Sequence, residues 1–264
     1  MSHTLRSLRS AVLAPLAEAG AVRKAQGTLA LDSALRVDAG ASIEAPSGIP
    51  GRPLRPELLP HNQLGQRSVA TLEGRAALIH SIAHIELNAI DLALDIVWRF
   101  PGMPEAFYRD WVSVAKEEAR HFTLLREHLV SIGFDYGDFP AHNGLWEMAE
   151  RTSVDLLARL ALVPRTLEAR GLDASPLVKK KLVRVGDHKA GAIIDLILRE
   201  EIGHVAIGNR WYRQVCGERG LDPVAAYAEL AERYKAPFLR GPFNLEARRA
   251  AGFDEAELAA LQRI

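Results

Sequence analysis

The segments KEEARHF and REEIGHV each place two adjacent glutamates ahead of a histidine. In a helix, Glu118 and His121 lie three residues apart on one face, which continues through apolar side chains. Glu201 and His204 repeat the arrangement. A buried carboxylate is costly unless it is neutralised or paired. Because a metal ion binds both carboxylate and neutral imidazole, the repeated pair predicts a metal centre.

Two further glutamates complete the ligand set that two Glu-x-x-His pairs use in a four-helix bundle. Such bundles hold two iron or manganese ions with one additional glutamate from each of the other two helices. Glu86 lies on an apolar helical face, 32 residues before Glu118. Glu168 lies 33 residues before Glu201. The predicted metal ligands are therefore Glu86, Glu118, His121, Glu168, Glu201 and His204.

These spacings bring each pair of ligands to one height on antiparallel helices if the chain turns midway between them. The segment PGMP at residues 101–104 provides the first turn. The second pair fits the same rule only if its turn falls near Gly186. A lone Glu-x-x-His is weak evidence for a metal, and buried polar pairs that serve packing specificity are the alternative interpretation.

The first glutamate of each doublet has a different predicted role. Glu117 and Glu200 lie four residues before their histidines and can accept the outer ring N–H, which would fix the ring orientation. The alternative is that both side chains are simply solvated. No catalytic residue beyond the metal ligands is identified.

The positions of proline and glycine, together with helical periodicity, predict an all-α fold. Four long helices are expected over about 69–100, 104–133, 145–185 and 187–216, with a kink at Pro164. The third is expected to be interrupted near 171–176, where the sequence GLDASP combines helix-breaking residues and Ser175 can cap a new helix. The predicted organisation is an N-terminal segment of short helices and Pro-rich extended chain (1–60), a four-helix bundle (61–217) and a C-terminal helical cap (218–264).

Composition restricts the partners and the location of the protein. The 264 residues contain 33 basic and 33 acidic side chains, so no global field favours nucleic acid or an anionic membrane. A single cysteine, Cys216, excludes an internal disulfide framework. No apolar run reaches the roughly 18 residues of a membrane helix. We expect a cytoplasmic protein that does not associate with membranes.

The ligand set resembles that of the ferritin-like superfamily of non-haem di-iron carboxylate proteins. The acidic residue before each Glu-x-x-His is similar to that of oxygen-activating members, where it is usually aspartate rather than glutamate. More narrowly, segments such as HIELNAIDLALD, VAKEEARHF, PRTLEARGLD and EEIGHVAIGNRWY resemble a bacterial family of ferritin-like proteins whose function is unassigned. The tRNA-modifying di-iron hydroxylase is similar in broad pattern.

The resemblance implies two bound metal ions, iron being expected and manganese or a mixed pair being alternatives. It implies an oxidoreductase of the hydroxylase or oxidase type that uses dioxygen, an unidentified small-molecule substrate and an electron-donor protein. Three alternatives stay open: a ferroxidase or metal-handling protein, a tRNA-modifying hydroxylase, and a non-catalytic scaffold braced by metal. The oligomeric state is not predicted.

Overall fold

The computed structural model describes residues 7–44, 46–65 and 67–262. Within this part of the chain the regular structure is helical, and pairing of extended backbone is limited to one bridge between Leu58 and Ala141. The all-α prediction is therefore confirmed. The parts of the three predicted segments that cover residues 1–6, 45, 66, 263 and 264 fall outside the described residues. The chain divides after Gly144 into two compact units.

The first unit contains short N-terminal helices, a long Pro-rich connection and two long helices. Its elements are α1 (Leu8–Ala11), α2 (Leu13–Ala17), α3 (Ala21–Leu29), a 3₁₀ turn (His61–Gln63), α4 (Leu72–Arg99) and α5 (Glu105–Ser131). The helices α4 and α5 pack against each other along their length, and α3 packs against both.

The predicted turn between α4 and α5 is present. Gly102 has a φ of 85°, which favours glycine, and its N–H donates to Ala39 O over 2.7 Å. The hydroxyl of Tyr108 accepts from Met103 N–H at 3.0 Å and donates to Phe100 O at 2.9 Å. These bonds fix the point at which the chain reverses and hence the register of α4 against α5.

The buried side chain of Arg9 connects the N-terminal segment to the end of α4. Its Nε donates to Val97 O at 3.1 Å and its Nη2 donates to Trp98 O at 2.7 Å. These carbonyls belong to the last turn of α4, where backbone acceptors have no helical donor. Its Nη1 donates to Ala41 O at 2.6 Å, so one guanidinium holds the Pro-rich connection against the helix terminus.

The second unit is a succession of helices with one π-helical segment. Its elements are α6 (Gly144–Arg151, which begins on the last residue of the first unit), α7 (Leu156–Leu162), a π-helix (Val163–Glu168), α8 (Ala169–Arg184), α9 (His188–Glu218), α10 (Pro223–Arg233), α11 (Leu245–Ala250) and α12 (Glu255–Gln262). The pair α8 and α9 forms its antiparallel hairpin.

The prediction that the third helix is interrupted near 171–176 is wrong, because α8 runs continuously through these residues. Pro176 cannot donate to the carbonyl of Leu172 four residues earlier. That carbonyl instead accepts from Asn244 Nδ2 at 3.2 Å. The Ser175 hydroxyl donates to Gly171 O at 2.7 Å rather than capping a new helix. The irregularity lies upstream, at the π-helix that contains the predicted kink residue Pro164.

The turn predicted near Gly186 is confirmed. Gly186 has a φ of 85° and follows the last turn of α8. The Asp187 side chain then accepts from Ala190 N–H at 3.0 Å and caps α9. Beyond α9, the C-terminal helices pack on this hairpin through a buried cluster that includes Leu172, Val205 and Phe253.

One helix, α4, is long and apolar enough to cross a membrane by length and composition. Most of its apolar window, 72%, is buried inside the protein. A core helix of a soluble protein has the same properties, and the burial of α4 is consistent with that role.

A buried ion pair joins α3 to α4. Lys24 Nζ donates to Asp91 Oδ1, and both side chains are 1% exposed. The same ammonium donates to Gly51 O at 3.0 Å and to Leu16 O at 3.2 Å. A second cation, Arg52, is 25% exposed, and its Nη1 lies 3.6 Å from Asp91 Oδ2. Lys24 therefore connects α3 to α4, to Leu16 of α2 and to the Pro-rich connection.

Replacing Lys24 by methionine leaves the Asp91 carboxylate buried with weak compensation. We expect the free energy of unfolding to fall by about 3–5 kcal/mol, because removing one partner of a buried pair strands the other charge. Chemical denaturation measures this change. The double variant Lys24→Met/Asp91→Leu is the matched control and should recover most of the loss, and a double variant as unstable as the single one would contradict the explanation.

Candidate metal centre

Three of the predicted ligands meet between α4 and α5. Glu86 lies 16 residues before Gly102 and Glu118 lies 16 residues after it, so the turn brings both to one height. His121 follows on the same face of α5. Glu86 is 3% exposed, and Glu118 and His121 are completely buried. Each of the three offers one ligand atom, and these atoms lie within 4.8 Å of one another.

The imidazole of His121 contacts both carboxylates through one nitrogen. Its Nδ1 lies 3.2 Å from Glu86 Oε2 and 3.3 Å from Glu118 Oε2. Burial lowers the pKa of His121, but the bonds to Glu118 and Glu86 outweigh it and raise the pKa to about 11. Burial and the neighbouring Glu118 charge raise the pKa of Glu86 well above its ordinary value, against a smaller lowering by His121.

The cluster places two carboxylates and one imidazole together in a buried position. Apolar side chains such as Val114, Ala115 and Phe122 lie beside Glu118 and His121 on α5. A divalent cation bound to both carboxylates and a neutral imidazole brings the net charge to zero. Oxygen and imidazole ligands suit iron, manganese and related ions. The buried Glu86, Glu118 and His121 side chains can therefore hold a metal ion.

The second Glu-x-x-His pair occupies the middle of α9 in the second unit. Glu201 is 7% exposed and His204 is 1% exposed. His204 Nδ1 lies 3.6 Å from Glu201 Oε1, which is close to the corresponding distance in the first pair. Buried Ile197 and Val205 flank them on the helix. The local geometry thus repeats that of Glu118 and His121.

The sixth predicted ligand, Glu168, is the last residue of the π-helix and is partly buried. The π-helix packs closely on α9 at Gly208, where an added Cβ would lie 2.7 Å from Pro164 Cβ. Gly208 is one turn beyond His204, so this contact sets the position of the π-helix along α9. π-Helical segments inside longer helices are frequent at functional sites. The sequence predicted the kink but not its π-helical form.

Glu117 and Glu200, the predicted outer partners of the histidines, are both partly buried. Each precedes a fully or largely buried glutamate on its helix. This exposure is compatible with contact to either the protein or solvent. Their role in orienting the histidines stays a prediction.

Two other histidines of α4 are buried but form a separate network. His84 Nε2 donates to His142 O at 3.0 Å, so its Nδ1 accepts from the Tyr136 hydroxyl at 2.8 Å. His80 Nε2 accepts from Gly137 N–H at 2.9 Å. These contacts hold the loop after α5 against α4, so His80 and His84 serve packing in this unit. Nothing in the loop sequence singled out Tyr136.

The comparisons with known proteins place the chain within one family. Residues 17–259 match a family described as "Protein of unknown function (DUF455)". A protein of Haemophilus influenzae, described as "Uncharacterized protein", is 49% identical over 213 residues, which cover 78% of this chain and 74% of the relative. No solved structure matches the chain.

The His84 network makes stability depend on pH. Burial is the main cause that lowers the pKa of His84 to about 3, from about 6.5 in the unfolded chain. The unfolded state therefore binds more protons below pH 6.5, and stability falls as the pH falls towards 3. At pH 5 the loss from His84 is about 2 kcal/mol relative to pH 8. Denaturation of wild type and His84→Gln at both pH values measures this difference.

In that experiment the variant should lose less stability than wild type on acidification. The exposed His188, replaced by glutamine, is the matched control and should leave the pH dependence unchanged. An identical pH dependence in all three proteins would show that the imidazole of His84 titrates alike in both states.

The cluster of Glu86, Glu118 and His121 predicts that a divalent cation stabilises the folded protein. Mn²⁺ at 100 times its dissociation constant should raise the free energy of unfolding by about 2.7 kcal/mol, because the ion binds the folded state. Glu118→Gln removes a ligand charge while keeping its shape and should abolish most of this increase. The matched control is Glu127→Gln, which changes an exposed glutamate of the same helix and should retain most of it. Equal responses of the two variants to Mn²⁺ would contradict the assignment of Glu118.

Proposed function

The chain belongs to the DUF455 family of proteins of unknown function, and we propose that it is a dinuclear metal carboxylate protein that uses dioxygen to oxidise a small organic substrate. The observation that carries the proposal is the buried cluster of Glu86, Glu118 and His121. Three ionisable side chains without solvent contact are an expensive arrangement for packing alone. They are the donor types expected around iron or manganese.

We propose that the pair on α9 completes the centre. Glu201 and His204 have the spacing, the burial and nearly the contact distance of Glu118 and His121. The hairpins α4–α5 and α8–α9 then supply the four helices of a ferritin-like bundle, with Glu168 as the sixth ligand. Two equivalent half-sites in one chain favour two ions rather than one.

The bound ions would be held by four carboxylates and two imidazoles. When bound, a ferrous pair supplies electrons and open coordination positions for dioxygen. Iron is the expected metal, with manganese or a mixed pair as alternatives. Each imidazole must be neutral to bind, so metal uptake releases a proton that the carboxylates otherwise hold on His121.

The apolar surroundings have a defined role in this proposal. Val114, Ala115 and Phe122 lie beside Glu118 and His121 on α5 and are at most 1% exposed. Such a wall excludes bulk water, which strengthens the electrostatic contacts and protects a reactive oxidant from side reactions. It also leaves the carboxylates without competing solvent donors. We further propose that a separate protein donates electrons and that the reaction takes place in the cytoplasm.

Anaerobic titration with Fe²⁺ tests the metal centre. We expect saturation at two ions per chain, measured by elemental analysis of the protein after removal of free metal. Glu201→Gln should reduce the bound iron to one ion or fewer, because it removes a first-sphere carboxylate. Glu218→Gln, at an exposed glutamate at the end of α9, is the matched control and should keep two. Full occupancy in Glu201→Gln would exclude the second half-site.

Exposure of the iron-loaded protein to dioxygen then tests the chemistry. Stoichiometric oxygen consumption that is coupled to an added reductant indicates an oxygenase or oxidase. Continuous consumption with excess Fe²⁺ and no reductant indicates a ferroxidase. No consumption by protein that holds two ions would contradict the redox proposal and leave a structural role for the metal. Anomalous scattering at the iron and manganese edges identifies the ions bound on purification.

A further inference from the structure

The second unit contains a pocket of about 350 Å³ that is separate from the Glu201–His204 pair. Its wall is formed by α10, the segment that follows it, α12, Arg248 of α11, Phe253 and one residue of the π-helix. Apolar side chains, among them Tyr227, Leu239 and Phe253, form most of the surface. The volume and the apolar wall are those of a site for a small organic molecule.

The π-helix contributes the buried guanidinium of Arg165 to this wall. Its side chain is 4% exposed, and Nη2 donates to Glu257 Oε1 at 2.6 Å. Nε and Nη1 are buried and have no hydrogen-bond acceptor among the described residues. The faces of the guanidinium stack on aromatic rings, with Cζ 4.6 Å from the centroid of Tyr212 and 4.9 Å from that of Phe253. Ring stacking stabilises the cation but accepts none of its in-plane N–H groups.

The carboxylate that pairs with Arg165 is shared. Glu257 Oε2 accepts from Arg213 Nη2 at 2.5 Å and from Asp254 N–H at 2.8 Å. Its side chain is 2% exposed, so one buried carboxylate serves two guanidinium groups. The Asp254 carboxylate lies 3.8 Å from Arg213 but is 59% exposed, and solvent weakens its contribution.

The second arginine of the pocket wall is already satisfied. Arg248 donates from Nε to Asp173 Oδ1 at 3.0 Å and from Nη2 to Asp173 Oδ2 at 2.6 Å. The pocket region therefore contains three guanidinium groups, of Arg165, Arg213 and Arg248, and two buried carboxylates, of Glu257 and Asp173. One positive charge has no buried counter-ion, and the donors without acceptors belong to Arg165.

We propose that this pocket binds a small organic monocarboxylate with an apolar body. A carboxylate oxygen supplies the acceptor that Arg165 lacks, in a charge-assisted bond that is stronger than one to a neutral oxygen. The aliphatic or aromatic part of the molecule occupies the space between Tyr227, Leu239 and Phe253. The site does not depend on the proposed metal centre, since its residues lie on other positions of the second unit.

Calorimetric titration of the full chain with octanoate tests the site. Octanoate should bind with one molecule per chain, and octanol should bind at least tenfold more weakly because it lacks the charge. Acetate, which has the charge but no apolar body, should show no saturable binding. The titration is made with chelator-treated protein and repeated with metal-loaded protein, so a failure of the metal proposal does not affect its outcome.

Two variants test separately how the Arg165 guanidinium and the free volume of the pocket contribute to octanoate binding. Arg165→Gln should weaken octanoate binding at least tenfold, whereas Arg210→Gln, which removes an exposed guanidinium from α9, should leave it unchanged. Because Arg165→Gln can disturb folding, Ala231→Phe provides a second test that fills the pocket and keeps Arg165. This variant should also lose binding while its helical circular dichroism stays that of wild type.

Two results would overturn the proposal. Equal affinities for octanoate and octanol would mean that the pocket selects only apolar bulk. Unchanged octanoate binding in a folded Arg165→Gln or Ala231→Phe protein would place the ligand elsewhere.

Discussion

The structure depends on the free-energy cost of burying ionisable side chains away from water. Glu86 and Glu118 both contact Nδ1 of the buried His121. Lys24 and Asp91 offset that cost as a pair, and Arg9 does so with backbone carbonyls at the end of α4. The contacts differ in composition. Lys24 and Asp91 form an ion pair of opposite charges, whereas the glutamate–histidine cluster combines carboxylate and imidazole groups that could hold a metal ion. This difference separates a structural contact from a candidate functional site.

Much of this arrangement follows from local sequence. The meeting of Glu86 and Glu118 in the first unit was predictable, because the PGMP segment fixes the turn between α4 and α5 and residue counting then fixes the height of both side chains. The same counting located the turn at Gly186. Helix types and approximate ends were equally predictable from periodicity and capping residues, as the Asp187 cap illustrates.

The helix interruption predicted near residues 171–176 is absent for a physical reason that the local sequence does not show. Pro176 does remove a helical hydrogen bond, but its effect is cancelled by Asn244, a residue far along the chain. The π-helix likewise depends on a close approach between Pro164 and Gly208, which lie on different elements. The Arg165 N–H groups that lack an acceptor could not be predicted for a related reason. Only tertiary contacts show which arginines have a hydrogen-bond acceptor for each N–H group.

The bond from Asn244 to the carbonyl of Leu172 also ties two parts of the second unit into one cooperative element. The middle of α8 is complete only while the segment before α11 stays docked, and Asp173 strengthens the same junction by accepting from Asn244 N–H at 2.9 Å. Local opening of the C-terminal segment therefore exposes the weakest turn of α8. Amides of that turn should exchange with solvent together with those of α11, although the two stretches are distant in the sequence.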